Sequence, residues 1–399
     1  MTKFYLAACL GLSLIFAGSR TFAQDSTRAQ FPNMLANSYI GVHAGYIDYP
    51  FTNALLAPGY SAEKIVKPFP AVKVILGHEF NKYFSAQISY LRPVLWVEYR
   101  NVNGDNGEHA IFMNVFGVTG KGMLPLSKKL TAYAEAGGAI VTRAGFNTNN
   151  VQIAGSTNYL TYELGAGLHY KMNKRADLVG SVTYAAGNTN EKQPRTMFYG
   201  LGVNYYMRPL SKEAVAKNSS GHYVFPHNVI QIGYSTNAIG YGINYWFSKA
   251  PIPVFWDGNI RATHGITLQY QRNSFHGRRF FQIDWGANVS YFQTELNKQD
   301  FFTVSLYPAM RFWPLRTKPF DLYFNAAVAG PTYFSEKLLD NRITGEHFTF
   351  YDYLGMGFLM GAQRNLNFEF RIAHYSNGNI FYDNPGILIP MCFNLGYAF

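Results

Sequence analysis

FEFRIAHYSNGNIFYDNPG, residues 368–386, is the stretch on which the reading of this chain turns. As a β-strand its side chains alternate faces with period two. Phe368, Phe370 and Ile372 fall on one face; Glu369, Arg371, Ala373 and Tyr375 fall on the other. His374 and Ser376 continue the apolar face. A soluble sheet would bury that face, and a membrane barrel would turn it to lipid. Polar groups in either place cost about 2–7 kcal/mol unless paired, so they need a reason. An imidazole beside a serine hydroxyl supplies one, because it can take the hydroxyl proton and activate the oxygen as a nucleophile.

The composition favours the membrane alternative. Aromatic residues make up 17% of the chain and charged ones only 14%, with 37 glycines. Residues beyond the N-terminal leader hold no run of ~20 apolar residues that could form a transmembrane helix. Alternating strands with aromatic girdles and few charges describe an outer-membrane β-barrel, whereas a secreted β-sandwich carries more surface charge.

Lys3, the apolar run Phe4–Gly18 and Thr21-Phe22-Ala23 predict a signal peptide over 1–23, cleaved before Gln24. Leu6-Ala7-Ala8-Cys9 also resembles a lipoprotein box, but the apolar run ahead of Cys9 is short. Cleavage leaves Cys392 alone, so no intrachain disulfide forms. The net charge of +11 comes without a basic run or nucleic-acid motif. It therefore points away from nucleic acid and towards an anionic lipid surface, such as the phosphorylated sugar of lipopolysaccharide.

Strand-like segments recur at 38–48, 70–80, 83–98, 108–122, 129–144, 156–171, 177–187 and 195–207. A polar stretch at 211–225 breaks the pattern and reads as a linker. A second set follows at 227–235, 261–272, 279–294, 301–314, 320–334, 348–362, 366–377 and 387–399. Short and long connections alternate, as short periplasmic turns and long outer loops do in such barrels. The fold expected is all-β: an outer-membrane antiparallel barrel with two eight-stranded halves, 24–210 and 226–399. These form tandem barrels or one sixteen-stranded barrel, and separate closure is the preferred reading. Alternate Leu395, Tyr397 and Phe399 resemble the C-terminal signature read by the outer-membrane assembly machinery.

The halves look like an internal repeat. Leu164-Gly165-Ala166-Gly167 aligns with Leu354-Gly355-Met356-Gly357 at a spacing of 190, and Tyr133, Ala136 and Ala139 with Tyr323, Ala326 and Ala329. On that spacing Tyr184 and Ala186 stand where the second half has His374 and Ser376. The pair is thus dispensable for folding, and any chemistry belongs to the second half.

With periplasmic termini, the seventh strand of the second half brings His374 and Ser376 to its outer end, facing lipid. That suggests esterase chemistry on a lipid arriving laterally, with Ser376 attacking, His374 as base and nearby amides holding the oxyanion. His374-Tyr375-Ser376-Asn377, followed by Asn384, Gly386 and Ile387, resembles the signature of the lipid A 3-O-deacylase (PagL-like) family, also called acyloxyacyl hydrolase. The resemblance covers roughly 225–399. It implies an eight-stranded outer-membrane barrel of a Gram-negative bacterium, acting on lipid A, with His374 as base and Ser376 as nucleophile. It implies that Asn377 and Asn384 shape the site and its oxyanion hole, and it brings no cofactor.

One position departs from the family. The glutamate that orients the histidine is replaced by Leu388, or by Ile389 if the last strand is aligned from its end. Asp383 and Asp352 are the candidate acids, although Asp352 could instead be a charge inside the barrel. His43 and His78 read as barrel-interior residues. No Cys/His cluster has metal spacing, so no zinc is expected; Asp105, Glu108 and Asp340 leave a weak case for calcium. Gly-x-Gly at 165–167 and 355–357 lies within strands and reads as barrel packing. The alternative to an enzyme is a porin-like or surface-binding barrel that retains the motif.

Overall fold

The computed structural model describes residues 36–107, 109–148, 151–208, 211, 213, 216, 223–249, 258–277, 279–378, 381 and 383–399. The expected signal segment, Glu108 and most of the linker lie outside these residues. The chain forms two separate antiparallel barrels, each of eight strands, and not one sixteen-stranded cylinder.

The first barrel comprises β1 (Ser38–Asp48), β2 (Pro70–Glu79), β3 (Phe84–Pro93), β4 (Ala110–Pro125), β5 (Leu130–Ala144), β6 (Thr157–Lys171), β7 (Ala176–Ala185) and β8 (Thr196–Tyr206). Each strand pairs with the next, and β8 closes on β1. The second comprises β9 (Asn228–Thr236), β10 (Ile260–His276), β11 (Phe281–Thr294), β12 (Asp300–Arg316), β13 (Phe320–Phe334), β14 (Phe348–Met360), β15 (Leu366–Ser376) and β16 (Ile387–Ala398), closed by β9 on β16.

One strand differs from expectation. The third segment ends at Pro93 instead of running to 98. Proline gives the ladder no donor and ends the run. Val97–Val102 then forms a hairpin strand that pairs with Ala62–Val66 above the barrel. Tyr49, Phe51, Leu55, Tyr99 and Ile153 pack there into an apolar plug at the long-loop end.

Period-two alternation fixes which groups face where. Outward rows such as Ile230, Ile232 and Tyr234 are exposed, as are Leu395, Tyr397 and Phe399. Inward rows are polar and interlocked. In the first barrel Lys73 Nζ is 3.0 Å from Glu163 Oε1, and Lys121 Nζ is 3.6 Å from Glu135 Oε2. In the second, Arg371 pairs with Glu369, Arg311 lies 3.4 Å from Asp284, and the Tyr323 hydroxyl donates to Glu369 at 2.7 Å. Buried charges persist only when paired in this way, and these pairs fill the lumens. His43 belongs to this interior and bonds Asn204 at 3.0 Å. His78 does not: it takes the outward parity of Val74 and Leu76 and bonds Ser38 at 3.0 Å.

The short-turn end of the second barrel is stoppered by the residues that lead into it. Phe225 stacks on His276 with centroids 4.3 Å apart and meets Trp313 edge-on. Arg316 lies over both Phe225 and Trp313 and donates to the Val224 carbonyl at 2.7 Å.

Candidate active site

β15 runs from the short-turn end to the long-loop end, so His374 and Ser376 arrive at the outer rim. Tyr375, between them, points inward. It hydrogen-bonds Thr303 at 3.0 Å and packs against Phe292 and Tyr351. That anchor fixes the parity and turns His374 and Ser376 outward.

Asp352 of β14 is the direct cross-strand partner of His374. It too faces outward, which removes the barrel-interior alternative. Its Oδ2 lies 3.7 Å from His374 Nδ1. Its Oδ1 accepts the Ala329 amide at 2.6 Å. Ala329 was not among the residues expected at the site. A bulge between Ala327 and Gly330 in β13, with Ala329 at φ 56°, aims that N–H out of the ladder and onto the carboxylate. Gly330-Pro331 inside a strand is the signal that marks it.

On the other side of His374 stands Leu388, its partner in β16, fully buried. Ile389 pairs with Ala373 instead. Leu388 therefore holds the place next to the imidazole. A second bulge, spanning Pro390, lies just beyond. Proline within a strand is confined to such irregularities.

The asparagines act on the loops. Asn377 Nδ2 donates to the Asp383 carbonyl at 2.6 Å and to the Thr344 carbonyl at 3.5 Å, tying two outer loops together. Asn384 Oδ1 accepts the Asn377 amide at 2.9 Å. The Gly378 N–H donates to Ser376 Oγ at 3.4 Å. The donor beside the hydroxyl is thus a backbone group, and the Asn377 side chain is committed to the clamp. Asp383 contributes its carbonyl, with the residue itself exposed.

The outward parity of His374 does not leave it open. His374 faces out of the barrel yet is only 2% exposed. On the same wall lies α1 (Gly242–Lys249). Asn244 of α1 donates to the Ile389 carbonyl at 3.0 Å, and the Tyr241 hydroxyl to the Ala262 carbonyl at 2.6 Å. Between this segment and the barrel wall lies a mostly apolar cleft lined by Ile239, Ile243, Ile372 and Met391.

The repeat alignment also shifts. Leu354 pairs with Ile372, and its counterpart Leu164 pairs with Tyr184. By strand register Ala186, not Tyr184, occupies the place of His374, and Tyr162 that of Asp352. The Ala186 amide indeed donates to the Tyr162 carbonyl at 3.2 Å.

Among the described residues no group of three or more His, Cys, Asp or Glu is arranged to hold a metal. Asp105 lies 3.5 Å from His109, and Asp340 accepts from Thr294 at 2.7 Å and from the Asn297 amide at 2.8 Å.

Residues 255–391 match the family described as lipid A 3-O-deacylase (PagL). The C-terminal barrel is PagL-like. Residues 8–206 match the family described as outer membrane protein beta-barrel domain. The lipid A deacylase PagL of Bordetella bronchiseptica is 26% identical to this chain over 145 residues, covering 33% of this chain and 78% of that protein. Among solved structures, the outer membrane enzyme PagL is 16% identical, covering 43% of this chain and 97% of that one, with a TM-score of 0.29. The N-terminal barrel domain of Pseudomonas aeruginosa OprF is 18% identical, with the same coverages of 43% and 97% and a TM-score of 0.27. The chain is an outer-membrane β-barrel protein whose PagL-like half contains every candidate catalytic residue named from sequence.

Proposed function

We propose that this protein hydrolyses an acyl ester of lipid A in the outer leaflet, with Ser376 as nucleophile, His374 as base and Asp352 as the group that orients the imidazole. The observation that carries the reading is the Asp352–His374 pair, 3.7 Å apart on the outward face one step from Ser376. Aspartate on the neighbouring strand supplies the carboxylate that Leu388 lacks. In the reaction Ser376 Oγ attacks the acyl carbon as its proton passes to the imidazole. The Gly378 amide is a donor for the oxyanion. Collapse of the intermediate expels the sugar oxygen, which takes the proton back from His374. Water then attacks the acyl-serine, with His374 again as base, and frees the fatty acid. The apolar cleft beside Ile372 suits the acyl chain. Lipopolysaccharide is the partner this requires, and the exposed Leu395, Tyr397 and Phe399 suit recognition by the assembly machinery.

The test is the lipid A mass spectrum of cells with and without the protein, and with Ser376→Ala. Loss of one hydroxyacyl mass that depends on Ser376 is expected. A spectrum identical in all three would leave a non-catalytic surface barrel, the reading favoured by the generic barrel match of residues 8–206.

A further inference from the structure

At the places of His374 and Asp352 the N-terminal barrel has Ala186 and Tyr162, but one patch of its outer wall is anomalous. Along β4 the outward row is Phe112, Asn114, Phe116 and Val118. Phe112 is 38% exposed and Val118 52%, as lipid-facing groups should be, while Asn114 between them is 4% exposed. Its cross-strand neighbour on β5, Thr142, is also outward and only 2% exposed. Part of the cover over Asn114 comes from the other barrel. Asn114 Nδ2 donates to the carbonyl of Gly378 at 3.4 Å, two residues from Ser376. Tyr90, on the adjacent outward row of β3, is within electrostatic reach of Asp352. Lower on β15, Phe368 and Phe370 stay exposed, so the barrels meet near their outer rims.

Two polar atoms in this seam are left over. Asn114 Oδ1 and Thr142 Oγ1 are buried without a hydrogen-bond partner among the described residues. Isolated groups of this kind are costly, and a buried acceptor next to the loop that follows Ser376 is placed to meet a donor carried by the substrate.

We infer that the N-terminal barrel completes the dyad site, with Asn114 and Thr142 forming a docking point for the N–H and O–H donors of an acylated amino sugar held over Ser376. The substrate class rests on the deacylase reading above; the seam itself does not. The first half then serves the second as one wall of the site. The lipid enters between the barrels below the rim, where the outward rows are apolar and open.

Isosteric variants separate docking from structure. Thr142→Val removes an unpaired hydroxyl and fills the same volume, so a purely structural role predicts unchanged or better folding and unchanged kinetics; Asn114→Leu also removes the bond to the Gly378 carbonyl, so Thr142→Val is the deciding variant. Docking predicts that each variant of the purified full chain keeps its folded electrophoretic mobility and kcat, while KM for lipid A in mixed micelles rises about tenfold. Unchanged KM in Thr142→Val overturns the inference. If the unaltered chain releases no acyl group, the catalytic reading fails, and docking is then judged by retention of lipid A on the purified protein. Weaker retention by Thr142→Val supports docking; equal retention overturns it. The seam has its own check. With Cys9 and Cys392 changed to alanine, Asn114→Cys and Ser376→Cys should be joined by a short bis-maleimide in the full chain, and failure to cross-link overturns the seam.

Discussion

Asp352 Oδ2 stands 3.7 Å from His374 Nδ1, across one rung of the β14–β15 ladder and outside the barrel. The strand register places this carboxylate, and the Ala329 amide holds its other oxygen. If His374 is the base, a shortening of this contact to hydrogen-bond distance on substrate binding would orient the ring. Asp352→Asn preserves the shape and removes the charge. Turnover is expected to fall by about 10²–10⁴ with folding intact, read as initial rates of fatty-acid release. Asp383→Asn is expected to leave the rate unchanged.

Ala329 carries a left-handed backbone, φ 56°, that an L-residue adopts at a cost. Ala329→Gly should keep the amide on Asp352 and raise the urea midpoint, by up to about 1 kcal/mol of stability. Ala329→Pro removes the donor and, with φ locked near about −65°, also breaks the left-handed bulge, so it should lower both stability and activity. Full activity in the proline variant would show that the amide is not needed.

Asn377 joins two loops through its side-chain amide, and Gly345 leaves room for it. At φ 89°, a Cβ on Gly345 would lie 2.8 Å from Asn377 Nδ2. Asn377→Ala strands the carbonyls of Thr344 and Asp383 and should cost about 1–3 kcal/mol in urea unfolding. Proteolytic nicking in 377–386 should rise with it.

Glu369 and Arg371 form a fully buried pair in the lumen, with Tyr323 donating to the carboxylate. Removing one partner leaves an uncompensated charge, so Glu369→Ala should destabilise the second barrel by about 3–5 kcal/mol. Joint replacement of both by apolar residues should cost much less, as thermal midpoints would reveal.

Tyr241 lies in the outer loop, where burial above all, and Glu295 next, push its phenol up to about 12. A raised phenol stabilises the fold while it stays protonated. The contribution is complete below the unfolded value of about 10 and is lost as pH rises through about 12. Protection of loop 237–249 from trypsin should therefore fall in chains pre-incubated between those limits relative to chains kept below pH about 10, and Tyr241→Phe should remove that difference.

Much of this was legible in the sequence because strand parity is local. The sixteen spanning segments, the outward placement of His374 and Ser376 and the inward placement of Glu369 and Arg371 follow from period two alone. Asp352 could be named but not turned to a face. The residue opposite His374 depended on the bulge at Pro390, which settled Leu388 over Ile389. The repeat misaligned by two residues for a similar reason: similarity of composition does not fix register, and the hydrogen-bond ladder does.

The amino-acid sequence by itself determined the kind of molecule, its strand count and which groups each strand offers to either side, because these depend on neighbours one and two residues away. Only the tertiary structure decided that two barrels close separately, that Asp352 flanks the imidazole, and that His374 is buried although it faces outward. Those outcomes depend on segments more than a hundred residues apart along the chain, such as Asn114 and Gly378, whose meeting no local pattern encodes.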